Sequence, residues 1–348
     1  MSTPPSTASA GWLAALQNQV RELLDPAVFD WLVGGSGLEE SLTATESAWS
    51  ELALRPDAGI DVSAVDLTTD LLGSRVSAPI GVAPTGFHVL VHPDGEAATS
   101  TATSAAGLLF TLSSRASQRY DAIVQPQQVW WFQPYVMRDR GLTREQIQQA
   151  TALGARAMVL TADAPVLPAR RQSRNGRLVT PEIMTMNAPN TTDLTTLEQS
   201  PTTTVADVEW IREASGLPVI VKGVVRDDTA ARFVNAGAEA IWVSNHGGRQ
   251  LDGAVAPVRA LPRIVDEVGD RAQVYIDGGV RSGVDVLRAL ALGASAVFLG
   301  RAPLYGLAID GEQGVTDVLQ RMINELRVSM QLSGRTSIDQ LGRDLIWS

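Results

Sequence analysis

Eight short, almost continuously apolar runs recur along the chain, at 79–83, 108–112, 130–135, 157–161, 218–222, 240–244, 274–277 and 296–300. They are rich in β-branched residues and do not alternate with polar ones, the pattern of parallel strands buried on both faces. Between most of them lie amphipathic stretches, at 94–106, 143–153, 227–236 and 282–292, which predict helices. A repeat marks the joints: Gly154-Ala-Arg-Ala157, Gly237-Ala-Glu-Ala240 and Gly293-Ala-Ser-Ala296 each stand between a predicted helix and a predicted strand. Glycine suits the left-handed helix terminus, and the alanines let the helix return closely to the sheet. Eight strands in βα repetition predict an α/β fold, a (β/α)8 TIM barrel, with a doubly wound sheet as the alternative.

Two stretches fall outside the repeat. Residues 11–78 precede the first run and predict an N-terminal helical cap with Gly34-Gly-Ser-Gly37 as a turn, and 164–206, after strand 4, is Pro/Thr/Arg/Asn-rich and too long for a simple βα loop, as a lid would be. Residues 1–10 are Ser/Thr/Pro-rich and are expected to form a flexible tail before a single domain spanning 11–348.

Composition narrows the function. With 45% hydrophobic and 19% charged residues over 348 positions, the chain is expected to fold around a large core. A net charge of −10 predicts no general attraction to nucleic acid or anionic lipid, so an anionic ligand needs a local basic site. The absence of cysteine excludes disulfides and thiolate chemistry, and three histidines leave little room for a metal site. The longest apolar run, 289–300, is too short to span a bilayer, and no secretory signal precedes the cap, so a cytoplasmic location is expected. Among 28 basic residues Lys222 is the only lysine. A codon bias accounts for the arginines but not for the exception, and a compact ammonium does what a planar guanidinium cannot.

In a barrel the chemistry gathers at the C-terminal ends of the strands. Those positions read Pro84-Thr85-Gly86, Ser113, Gln133 with Tyr135, Thr161 with Asp163, Lys222, Ser244 with His246 and Arg249, Asp277-Gly278-Gly279-Val280-Arg281, and Gly300-Arg301. The glycine turn leading to Arg281 and Ser282, with a second arginine ending the next strand, predicts a phosphate site built on exposed backbone N–H groups at a helix start. His246, with Gly-Gly and Arg249 after it, pairs a base with a guanidinium able to hold a carboxylate, and Asp163 is placed to stabilise the imidazolium.

The segments Val221-Lys-Gly223, Ser244-Asn-His-Gly-Gly-Arg-Gln-Leu-Asp252, Asp277-Gly-Gly-Val-Arg-Ser-Gly283 and 290–301 closely resemble the FMN-dependent α-hydroxy-acid oxidase/dehydrogenase family, over about residues 11–345. The resemblance implies FMN held by Pro84, Thr85, Gly86, Ser113, Gln133, Thr161, Lys222, Ser244, Asp277 to Arg281, Gly300 and Arg301, with Lys222 beside the flavin N1/O2 edge. It implies oxidation of an (S)-2-hydroxy acid to a 2-oxo acid, with O2 or another electron acceptor. His246 is then the base, oriented by Asp163; Arg249 and Arg170 bind the substrate carboxylate, and Tyr135 hydrogen-bonds the substrate. Family members are commonly homotetramers.

Departures from the family pattern bear on the substrate. Trp31 stands where a carboxylate-binding tyrosine is usual. Arg115 stands where glycolate-oxidase-like members carry a tryptophan, and it either binds a second anionic group of the substrate or folds outward. Gly86, alanine in many oxidases, leans toward a bulkier, mandelate-like substrate or another acceptor, and the span of 59 positions from Asp163 to Lys222 makes a shorter lid than usual. The alternatives are a specialised biosynthetic oxidase of an amine, a phosphonate or a peptide-derived acid, and a redox-neutral FMN barrel isomerase.

Overall fold

The computed structural model describes residues 11–125, 127–169, 178–188 and 190–347; the expected tail and Arg170 lie outside them. A short antiparallel pair, β1 (Thr69–Leu71) and β2 (Ser74–Val76), precedes eight parallel strands: β3 (Ile80–Val82), β4 (Leu109–Ser113), β5 (Trp130–Gln133), β6 (Met158–Thr161), β7 (Val219–Val224), β8 (Ala240–Val243), β9 (Gln273–Asp277) and β10 (Ala296–Leu299). β3 to β10 pair in chain order and β10 closes on β3, so the sheet is a closed barrel and not a doubly wound sheet. The helices predicted from the apolar periodicity form at Gly95–Ala105, Arg140–Ala152, Asp227–Asn235 and Gly283–Ala291.

Side chains leave a strand on alternate faces, and the barrel sorts them accordingly. On β5, Trp130 and Phe132 pack outward against helices while Trp131 points into the barrel; on β7, Val219 and Val221 point out and Ile220 in. The interior is filled by Trp131, Trp242, Tyr275 and Phe298, the last two of these four 5.6 Å apart by ring centroid and Phe298 4.0 Å from Trp242. Phe298 occupies the space where a side chain at Gly81 would go, which is why β3 carries a glycine there. Leu71 and Val76 of the β1–β2 hairpin join the same cluster, closing the end of the barrel opposite the cleft described below. The next inward position on each strand is then the first beyond this apolar plug.

The N-terminal helices Trp12–Leu23, Pro26–Val33 and Glu40–Ser47 form the expected cap. Glu40–Ser47 has no side-chain cap of its own. Asp252, more than two hundred residues on, accepts from the N–H groups of Leu38 (2.7 Å) and Ser41 (2.8 Å) and supplies it, so the start of this helix is anchored to the loop after β8. The described part of the segment after β6 includes a single turn at Pro181–Met184 and a 3-10 turn at Leu194–Leu197, packed on Met137.

Replacing Phe298 by alanine should cost about 3–5 kcal/mol, as expected for emptying a closed core. Urea unfolding followed by tryptophan fluorescence measures it.

Candidate active site

At the open end of the barrel the inward positions are polar: Ser113, Gln133, Thr161 and Asp277 end β4, β5, β6 and β9, Ser244 directly follows β8, and Lys222 lies two residues before the end of β7. All six are buried, and Ser113, Lys222 and Asp277 line a cleft of about 340 Å³. Lys222 Nζ lies 3.0 Å from Asp277 Oδ2 and donates to Ser244 Oγ at 2.9 Å, and Ser244 Oγ donates to Asp277 Oδ1 at 2.5 Å. Burial alone would push the ammonium toward deprotonation; the carboxylates of Asp277 and Asp163 outweigh it and hold Lys222 above its ordinary value. The solitary lysine is thus a fixed positive charge, buried on a strand and aimed at the cleft floor.

His246 stands above this triad. Its Nδ1 is 3.1 Å from Asp163 Oδ1, across from the end of β6. With Nδ1–H donated to the carboxylate, Nε2 keeps its lone pair. Burial pushes the Asp163 carboxyl up, but His246 and Lys222 more than offset it and hold the group below the usual carboxylate range. The histidine has φ of 59°, followed by Gly247 at 63° and Gly248 at 74°. A left-handed histidine is strained, and three such residues in succession turn the loop sharply so that the imidazole re-enters the cleft. Gly223, with φ of 100°, is required from the other side: a Cβ there would fall on the Asp163 carboxylate.

The rim arginines are held in place. Arg249 Nη1 donates to the carbonyls of Trp31 (2.9 Å) and Gly34 (2.8 Å), its guanidinium 5.7 Å from the Trp31 ring. Arg301 donates to the carbonyls of Leu32, Gly34 and Gly247. Arg281 is ion-paired with Glu46 of the cap. Tyr135 lies within electrostatic reach of Asp163, Lys222, Arg115 and Arg249, and burial followed by Asp163 raises its phenol. Arg115 faces inward: its guanidinium lines the cleft, lies 5.8 Å from the Tyr135 ring and donates through Nη2 to the Leu197 carbonyl. Pro84, Thr85 and Gly86 also line the cleft, with Gly86 against Arg115.

One expectation needs correction. The N–H groups of Arg281 and Ser282 are not open for an anion, because both donate to Asp285 Oδ2 in a capping box that closes the start of the helix Gly283–Ala291. The open donors lie beside it, at Gly278, Gly279 and Val280, and at the first turn of the helix beginning at Arg301, which has no side-chain cap. The cap also contributes residues that strand-end reading missed: Trp49 Nε1 donates to Gly278 O at 3.0 Å, and Thr45 packs where a Cβ on Gly279 would go. His88 Nε2 sits 2.6 Å from Thr85 Oγ1, fixing that hydroxyl from behind. Its spacing of three from Thr85 was the one sequence signal available.

The donor set fits a flavin mononucleotide. Gln133 Nε2 is buried without a partner while its Oε1 accepts from Ser113 Oγ at 3.0 Å, so an unused donor points to an acceptor-bearing group. The glycine cradle at 278–279 and the uncapped helix start suit a phosphate. Among the described residues no cluster of histidine and carboxylates could hold a metal ion, and no helix is long and apolar enough to cross a membrane.

Residues 20–348 match the family model described as FMN-dependent dehydrogenase. The chain is 39% identical to an L-lactate oxidase of Nostoc sp., covering 91% of this chain and 93% of that protein, and 40% identical to human 2-hydroxyacid oxidase 2, covering 96% and 97%. Among solved structures it is similar to a mandelate oxidase, with a TM-score of 0.90 at 38% identity over 96% of this chain and 97% of that one.

Two outcomes follow from the geometry. In Gly223→Ala the carboxylate of Asp163 has to leave His246 Nδ1, and ¹⁵N-edited NMR of the histidines should lose the hydrogen-bonded Nδ1 proton. Because the folded carboxyl sits below its unfolded value of about 3.9, the stability from Asp163 is complete above that value and lost as pH falls through the folded one. The stability advantage of the wild type over Asp163→Asn should therefore shrink as urea melts are taken to lower pH from about 4.

Proposed function

The chain belongs to the FMN-dependent dehydrogenase family and oxidises 2-hydroxy acids with FMN; from that premise we propose that His246 is the base of this reaction and that the substrate carries a side chain larger than a methyl group. The observation that carries the first part is the His246–Asp163 pair at 3.1 Å, directed into the cleft by a strained backbone. Nε2 takes the proton of the substrate's α-hydroxyl, and the anionic Asp163 orients the ring and stabilises the imidazolium as it forms.

Bound FMN supplies the two-electron acceptor for the bond broken at the α-carbon. Lys222 holds a positive charge at the cleft floor where negative charge develops, and its ion pair with Asp277 fixes it there without rearrangement. Gln133 Nε2 and the backbone of 278–280 would hold the cofactor's ring edge and phosphate, with Arg301 beside the latter. Arg249, with Arg170, holds the substrate carboxylate, and Tyr135 donates to it or to the hydroxyl oxygen. The indole of Trp31, stacked near Arg249, replaces a phenol as a steric wall.

Support for the larger side chain comes from the apolar side chains of Phe87, Met184, Leu194 and Leu197 that line the cleft. A homotetramer working in the cytoplasm belongs to the same reading.

His246→Ala should keep FMN bound while anaerobic flavin reduction slows by roughly 10²–10⁴-fold, the usual contribution of a positioned base. Stopped-flow absorbance with glycolate, lactate and mandelate measures it; reduction at the wild-type rate would remove His246 from the role, and a best substrate of glycolate would remove the larger side chain.

A further inference from the structure

The cations of the cleft divide by the partners they face. Lys222 faces Asp277, His246 faces Asp163 and Arg281 faces Glu46. Arg249 and Arg301 are occupied by backbone carbonyls. Glu198, which follows Leu197 and also lines the cleft, pairs with Arg138 at 3.0 Å. Arg115 has no carboxylate: the ionisable groups acting on it are the phenols of Tyr135 and Tyr120, and its bond to the Leu197 carbonyl uses Nη2 alone. Every Asp and Glu side chain of the sequence lies among the described residues, so no acid outside them completes the pair.

The main chain holds this arginine where it is. Its carbonyl accepts from Phe87 N at 3.1 Å, and its Cβ lies 2.7 Å from where a Cβ on Gly86 would be, so the loops after β3 and β4 touch through a glycine. Its side chain runs between the Tyr135 ring and the segment Leu194–Leu197, both of which line the cleft. A half-buried guanidinium with Nε and Nη1 unpaired is poorly compensated unless a ligand completes it, and its fork geometry matches a carboxylate. Arg115 also shares the neighbourhood of Tyr135 with Asp163, Lys222 and Arg249, which puts it beside the reacting groups and not at a remote surface.

We propose that Arg115 is a specificity-determining residue that binds a second carboxylate, at the far end of the substrate side chain, so that the preferred substrates are 2-hydroxy acids with two carboxylates. This rests on the 2-hydroxy-acid reading above, and it deepens it: Arg249 takes the carboxylate next to the reacting carbon, Arg115 the distal one, and the apolar side chains lining the cleft take the carbon chain or ring between them.

The test uses the purified FMN holoenzyme with malate, 2-hydroxyglutarate, 2-hydroxyadipate and 4-carboxymandelate against lactate, 2-hydroxybutyrate and mandelate. Two readouts are taken: kcat/KM for anaerobic flavin reduction, and the Kd of the matching 2-oxo mono- and dicarboxylates from the perturbation of the flavin spectrum. The wild type should prefer the best diacid over its monoacid counterpart by roughly 10- to 100-fold in both, the worth of hydrogen bonds to a charged group. Arg115→Met should abolish that ratio, and Arg115→Lys, which keeps the charge but not the fork, should retain part of it. Equal or better use of the monoacids by the wild type overturns the inference. So does a ratio unchanged in Arg115→Met while both substrate types weaken together, which would make the arginine only a tie to Leu197. If no hydroxy acid reduces the flavin, the reaction assignment fails separately, and the dicarboxylate-to-monocarboxylate Kd ratio still decides the role of Arg115.

Discussion

Closing eight strands into a ring leaves an interior that only every second residue can enter, and everything else in this molecule follows from how that interior is filled. Aromatic and branched side chains occupy it up to the level of Trp131, Trp242 and Phe298. The next inward position on each strand cannot be reached by solvent from below or by the outer helices from the side. It therefore faces whatever sits in the mouth, and a polar group placed there is buried against its neighbours on adjacent strands and the cleft. Lys222, Gln133 and Asp277 take their positions from that parity, not from any local motif.

Burial makes the charges in this mouth consequential. Lys222 and Asp277 are nearly enclosed, and each would be expensive alone; together, with the Ser244 hydroxyl bridging them, they form a rigid dipole. The same pairing logic sets Asp163 under His246 and Glu46 against Arg281. These matched pairs hold their charges in fixed positions, while Arg115 meets only phenols and a main-chain carbonyl, and that difference is what the proposed ligand selection uses.

Much of this was legible in the chain. The apolar runs gave the strands, the interruption of each run by one polar residue at its end gave the floor of the cleft, and the lone lysine marked its charge. The helix caps were less legible, because Asp285 competes with a ligand for the N–H groups of Arg281 and Ser282 and nothing in a glycine-rich turn says which wins. The contacts of the N-terminal cap were not legible at all. Glu46, Thr45 and Trp49 sit in an ordinary helix and turn, and their partners at 278–281 are chosen by tertiary geometry. The inward direction of Arg115 likewise depends on Leu197, eighty-two residues later.

The helix Glu40–Ser47 receives its N-terminal cap from Asp252 across 211 residues, and Asn245 holds Thr45 across 200. On a ribosome the first of these partners is complete long before the second exists. At roughly 5–20 residues per second the interval is on the order of 10–40 s. During it the cap helices have no barrel to rest on, and their buried faces, including Trp12, Phe29 and Trp49, are open to any other nascent surface. The loop that carries His246 thus serves the living chain twice: it bears the imidazole, and it is the late signal that ends the waiting of the earliest segment. Substitutions near Asp252 should accordingly be felt first as lower soluble yield in cells, ahead of any loss in the catalytic constants of the molecules that do finish folding.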